Sequence, residues 1–267
     1  MAAIRILNFD GSVVKQKRLL AAYKTEAIDF SDIGPRVRFW LNKNQRQEIK
    51  RRIGASARGA VTFLGSGDFH HIAEILISGF DEPIALIGFD RHPDRSIIAP
   101  RYSCGSWLRT ALEKKDLLEC VLVGARKGRL FDLTGPLFKK VRRYEFEEKE
   151  LPGSFLRMIG SLPVKKVYIT IDKDCLRKES ALTNWEEGAM ALEDLLRMLK
   201  LIKDNLEIVG ADITGEYSKI NICGMIKNSV SYFDHPRNFS ARGAEGAAVD
   251  EINEDTNLKI LKSLFGD

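Results

Sequence analysis

Six short runs rich in Val, Ile and Leu recur along the chain, and between them lie stretches long enough to form a helix. The runs cover residues 4–10, 60–66, 83–90, 120–125, 166–172 and 206–212. Their apolar character is nearly continuous, not alternating. A strand with one wet face alternates, whereas a strand covered on both faces does not. Helical periodicity appears near 43–53, 70–79, 104–115, 189–204 and 250–264. The last of these has acidic residues early and lysines late, as the helix dipole favours. Strand and helix therefore alternate, which predicts α/β architecture: three αβα layers around a mostly parallel central sheet.

The 267 residues carry no internal repeat and no long Pro/Gly/Ser linker, so a single domain over 1–267 is expected. A chain of this length buries enough surface to fold without disulfide staples. Cys104, Cys120, Cys175 and Cys223 form no C-x-x-C pair, which argues against a zinc ribbon or redox dithiol and for a reducing compartment. The N-terminus lacks the apolar core of a signal peptide, and no apolar run reaches about 18 residues. A cytoplasmic protein without a membrane partner is expected. Net charge is +5, but Lys and Arg are interleaved with Asp and Glu. KNQRQEIKRR and FKKVRRYEFEEKE read as solvated helix faces, so no nucleic-acid partner is expected. The least regular stretch, 213–249, is expected to form loops over a site.

Acidic residues and three of the four histidines gather directly after predicted strands. GSGDFHH spans 65–71, Asp90-Arg91-His92-Pro93-Asp94 follows IALIGF, and Asp172-Lys173-Asp174 follows VYITI. Parallel sheets bind ligands beyond the carboxyl ends of their strands. In extended chain, residues i and i+2 point the same way. Asp90 thus shares a direction with His92, and Asp172 with Asp174. Asp94 lies where a turn can return it to them. Four carboxylates meeting with His70 or His71 repel one another unless cations neutralise them. Carboxylate plus imidazole suits Mn²⁺, with Fe²⁺, Co²⁺ or Zn²⁺ as other candidates. Such a set is large enough for two divalent metal ions with bridging carboxylates.

These three motifs resemble G-G-D-H-S, D-A-H-x-D and S-F-D-x-D of the ureohydrolase superfamily, which includes arginase, agmatinase and formiminoglutamase. The resemblance runs from about residue 60 to 216, with a weaker match in the final helix. It implies an arginase-like fold and a binuclear, manganese-type site. His70 is then the histidine ligand of the first ion, Asp90 and Asp172 bridge both ions, and His92 and Asp174 hold the second. Asp94 binds the first ion and hydrogen-bonds a hydroxide held between the two. YSCGSWLR (102–109) resembles the agmatinase Y-S-H-G-T-x-x-R, with Cys104 where a proton-shuttling histidine stands. LTNWEEG (182–188) resembles G-L-T-x-R-E-G. Asp212-Ile213-Thr214-Gly215-Glu216 resembles D-x-x-E with one residue inserted, which implies that Glu216 contacts a cationic substrate.

The implied activity is hydrolysis of a C–N bond in a small guanidino, amidino or related compound, with homo-oligomers common in the family. Arg91 and Lys173 replace small or apolar residues inside the motifs. Alternation points them away from the metals, toward ion pairs. Two rivals share the fold: a one-zinc deacetylase using a His70–His71 dyad, and a metal-binding relative without catalysis. His235 reads as a loop residue, or as a replacement for the missing shuttle at the site mouth.

Overall fold

A computed structural model describes residues 3–54, 58–125, 135–144, 152–219, 221–227, 229 and 246–266. Its strands are β1 (Ala3–Asn8), β2 (Thr25–Asp29), β3 (Ala60–Gly65), β4 (Ile84–Phe89), β5 (Leu117–Val123), β6 (Val141–Tyr144), β7 (Lys166–Asp172) and β8 (Glu207–Thr214). The helices are α1 (Lys17–Ala22), α2 (Gly34–Val37), α3 (Lys43–Ile53), α4 (Ile72–Ile77), α5 (Trp107–Leu112), α6 (Gly153–Gly160), α7 (Leu192–Asn205) and α8 (Gly246–Phe265). The strands make one eight-stranded sheet in the order β2-β1-β3-β8-β7-β4-β5-β6. Every neighbouring pair is parallel.

Residue alternation along each strand sorts the side chains into two apolar layers. Ile6, Phe63, Ile87, Val121, Ile169 and Ile213 face Leu19 of α1, Phe155 of α6, Leu199 of α7 and Leu261 of α8. Leu7, Leu64, Leu86, Leu122 and Tyr168 face Ile49 of α3, Ile72 and Leu76 of α4 and Leu108 of α5. Removal of this apolar surface from water is the main force holding helix to sheet. α3 begins with a reciprocal cap: Asn42 accepts from the Gln45 backbone, and the Gln45 side chain accepts from the Asn42 N–H.

The six apolar runs all become strands, with ends shifted by up to three residues. Two further strands, β2 and β6, lie at the sheet edges. Their sequences, TEAID and VRRY, are short and polar because each edge strand pairs on one side only. The reading of FKKVRRYEFEEKE as a helix face is corrected over 138–144, where Phe138–Lys140 is a 3₁₀ turn and Val141–Tyr144 a strand; 145–150 lie outside the described residues. Helices α1, α2 and α6 add to those expected. His235, and most of 213–249 beyond residue 229, lie outside the described residues.

The chain passes from β3 to β4 across two vacant places that β8 and β7 later fill. The carboxyl ends of β3, β8, β7 and β4 therefore stand side by side, at the end of the sheet where such folds place their ligands.

Candidate metal centre

All three acidic and histidine clusters follow the carboxyl ends of these strands, after β3, β4 and β7. After β3, Gly67–Phe69 forms a 3₁₀ turn that Ser66 caps, and the turn delivers His70 over the sheet. After β4, the Asp90 carboxylate accepts from the His92 backbone N–H at 2.6 Å, which curls the chain back. Asp94 has φ +44, a left-handed backbone that returns its carboxylate toward the cluster. After β7, the Asp172 carboxylate accepts from the Asp174 N–H at 3.1 Å and caps the 3₁₀ turn Lys173–Cys175. Asp172 and Asp174 therefore converge through a tight turn, not through the extended alternation expected of i and i+2. The Arg91 N–H donates to Asp174 Oδ1 at 3.1 Å, tying the β4 and β7 ends together.

The His70 Nδ1 atom lies 3.2 Å from Asp90 Oδ2, 3.2 Å from Asp94 Oδ2 and 3.4 Å from Asp172 Oδ2. His92 Nδ1 lies 2.7 Å from Asp174 Oδ2 and 3.9 Å from Asp90 Oδ1. Two ligand triads result: His70, Asp90 and Asp172, and Asp90, His92 and Asp174. Asp90 belongs to both, one oxygen toward each. Although three carboxylates surround His70 Nδ1, none meets it with hydrogen-bond geometry, and the atom is buried without a partner. A single proton cannot satisfy that arrangement; a cation at the centre of the donors can. The donor set of oxygens and imidazole nitrogens fits a hard or borderline divalent ion.

Electrostatics say the same. Burial, and then the neighbouring Asp94 and Asp174, hold the Asp90 carboxyl well above its ordinary range. Burial with Asp174 pushes Asp172 up to about 7. Burial alone would lower the His92 imidazole, but Asp174, Asp90 and Asp94 outweigh it and bring it up to about 10. His70 is likewise drawn well above its ordinary value by Asp90, Asp94 and Asp172, against burial. Bare, the cluster holds protons that ions would displace.

A hydrogen-bonded chain behind His70 orients its ring. Thr170 Oγ1 donates to Asp212 Oδ1 at 2.7 Å and lies 2.9 Å from His70 Nε2. The threonine has one proton and spends it on Asp212, so neutral His70 donates from Nε2 and presents the Nδ1 lone pair to the carboxylates. Burial raises Asp212 to about 6. Two tryptophans flank the histidines. Trp107 donates to Asp94 Oδ2 at 2.7 Å. Trp185 meets the His92 ring edge-on at 5.5 Å and donates to Asp68, which also binds buried Arg38 at 2.6 Å. Pattern reading missed Trp107, Trp185, Thr170, Arg38 and Asp68. Only the place of all but Arg38 inside the quoted stretches offered a signal.

The remaining expectations fare differently. His71, left open beside His70, is outside both triads. It is buried with neither ring nitrogen hydrogen-bonded, and burial followed by Lys227 takes it down to about 3. Glu216 is 2% exposed, and both its oxygens are engaged. Lys173 Nζ donates to Oε1 at 2.5 Å, Asn257 donates to the same oxygen at 2.6 Å, and Gln16 donates to Oε2 at 3.1 Å. The cation that Glu216 meets is the chain's own Lys173. Gly215, at φ +88, makes this approach possible: a Cβ there would stand 2.6 Å from Asp172 Oδ1. Arg91 turns outward toward Glu186 at 3.5 Å. Cys104 is half-buried on the loop between Asp94 and Trp107, and its N–H donates to Phe39 O at 2.8 Å.

Comparison with known proteins gives a consistent result. A sequence profile described as the arginase family matches residues 8–218. An uncharacterised protein of Thermotoga maritima is 34% identical over 98% of this chain and 89% of its own length. The proclavaminate amidino hydrolase of Streptomyces clavuligerus superposes with a TM-score of 0.64 at 16% identity, covering 98% of this chain and 91% of that one. An Entamoeba histolytica arginase, solved in complex with L-ornithine, gives 0.65 at 13% identity over 100% and 98%.

Proposed function

The chain belongs to the arginase family, and from that premise we propose that it is a binuclear metal hydrolase cleaving a C–N bond of a small guanidino, amidino or related compound. The single observation that carries this reading is Asp90 standing in two ligand triads at once, one oxygen toward His70 and the other toward His92. A two-ion site needs such a shared carboxylate; a one-ion site does not. We assign His70, Asp90, Asp94 and Asp172 to the first ion and Asp90, His92, Asp172 and Asp174 to the second, with Mn²⁺ as the expected metal.

When bound, the pair of ions supplies Lewis acidity and lowers the pKa of water into the neutral range. The chain's own residues do the rest. Asp90, Asp172 and Asp174 are at most 4% exposed, whereas the side chains of Asp94 and His92 are 11% and 26% exposed. Substrate therefore enters on the Asp94–His92 side, beneath Trp185. Asp94 Oδ2 is held by Trp107, which leaves Oδ1 to accept a proton from the attacking water and return it to the departing amine. Glu216 is given no contact with substrate, because Lys173, Asn257 and Gln16 already neutralise and saturate it. Cys104 is assigned no step in the proton path.

The deacetylase alternative needs His71 beside His70 at the reacting centre, and His71 belongs to neither triad. Purified protein loaded with Mn²⁺ should bind two ions and release urea, ammonia or an amine from some member of a panel of guanidino, amidino and acylamino compounds. Failure to bind any divalent ion overturns the proposal. Two ions bound without turnover across the panel would instead identify a non-catalytic relative.

A further inference from the structure

Of the carboxylate ligand candidates, Asp94 lies farthest past the end of its strand. It sits past the end of β4 on a left-handed backbone, φ +44, which a non-glycine residue adopts only when its surroundings demand it. What holds it is the start of α5. The Leu108 N–H donates to the Asp94 carbonyl at 3.1 Å, and the Trp107 indole N–H donates to Asp94 Oδ2 at 2.7 Å. The Ser96 N–H donates to Gly105 O at 2.9 Å and closes the loop between them. The Trp107 ring also packs on the His70 ring, with centroids 4.8 Å apart and planes at 47°. Trp107 itself is 2% exposed, so its N–H has no water to turn to.

We propose that Trp107 is a positioning residue for the first ion site, aiming Asp94 with its indole N–H and His70 with its ring. The inference rests on the two-ion reading. A donor on Oδ2 keeps that oxygen 3.2 Å from His70 Nδ1, so one carboxylate is divided into a fixed oxygen and a free one. An indole N–H does this at every working pH because it does not titrate. Trp185 provides the contrast. It packs on His92, but its N–H goes to Asp68, which is in neither triad. Trp185 therefore acts on ring placement alone.

The test separates the N–H from the ring. Position 107 is changed to Phe, and separately to benzothienylalanine, which keeps the bicyclic outline and replaces the N–H by sulfur. Mn²⁺ binding is followed by calorimetry and by the electron paramagnetic resonance signal of the ion pair, with Trp185→Phe as the comparison. Both substitutions at 107 should weaken one of the two ions by about 10- to 100-fold and leave the other unchanged, the range for loss of an outer-shell partner. Trp185→Phe should leave the ion weakened by the 107 substitutions at wild-type affinity. Should the Phe variant fail to fold, the isostere decides, because it preserves the packing. Wild-type binding of both ions by the isostere would show that Trp107 only fills space, and would overturn this inference while leaving the two-ion reading intact. Wild-type protein that binds fewer than two ions would overturn both.

Discussion

At the scale of single residues, the centre depends on how each carboxylate divides its two oxygens. Asp90 serves both triads, so it cannot be replaced in halves; Asp174 serves one. Asp90→Asn should abolish binding at both ion sites, whereas Asp174→Asn should leave about one ion per chain, as a single lost ligand implies. Metal analysis after dialysis checks this, and equal stoichiometry in the two variants would contradict the shared role. Sequence spacing was enough to nominate His70, Asp90, His92, Asp94, Asp172 and Asp174, because chemistry and strand-end position coincide in them. Spacing alone left His70 and His71 open, and the motif resemblance favoured His70. That choice depends on which of two adjacent rings a one-turn 3₁₀ segment rotates inward. Spacing could not find Thr170 or Trp107, whose roles exist only through contacts with residues far away in the chain.

At the scale of elements, the ends of β7 and β8 are joined through a buried charge pair. Lys173 and Glu216 are 0% and 3% exposed in their side chains and 2.5 Å apart. Burial lowers the Lys173 ammonium, and Glu216 opposes that shift. Gln16, just before α1, and Asn257, within α8, complete the network. Removing one partner of a buried pair leaves the other charge stranded. Lys173→Met should therefore destabilise the fold by about 3–5 kcal/mol, and adding Glu216→Gln should recover much of the loss. Chemical denaturation of the two variants measures it. A double variant no more stable than the single one would mean that the pair is not coupled as described. The sequence showed that a lysine had entered the D-x-D motif and that it would find an ion pair. It could not show that the partner would be Glu216, because their meeting requires β7 and β8 to be neighbours.

At the scale of the whole molecule, fold stability and site chemistry are linked through protons. In metal-free protein, Asp90 is held well above the ordinary carboxyl value of 3.8 and Asp172 is near 7. The unfolded chain gives up those protons earlier, so their ionisation costs the folded state stability as pH rises from 3.8 through about 7. His92, raised from 6.5 to about 10, acts in the same direction. Its stabilisation is complete below 6.5 and is lost as pH climbs toward about 10. His70, also raised, adds to this. Metal-free protein should therefore melt at a lower temperature at about pH 8 than at about pH 5.5, and Mn²⁺ should raise the melting temperature more at the higher pH, because binding requires deprotonated ligands. A chelator should remove the gain. A metal-free melting temperature that rises between the two pH values would show that the carboxylates do not crowd as described. By itself, the sequence determined the layered α/β class, the central strands and the acidic and histidine groups that meet at the candidate centre, because apolar periodicity and side-chain chemistry are local properties. Only the tertiary structure decided the strand order, the polar edge strands and the capture of Glu216 by Lys173. Each of these depends on which distant segments lie side by side, and no local pattern encodes that.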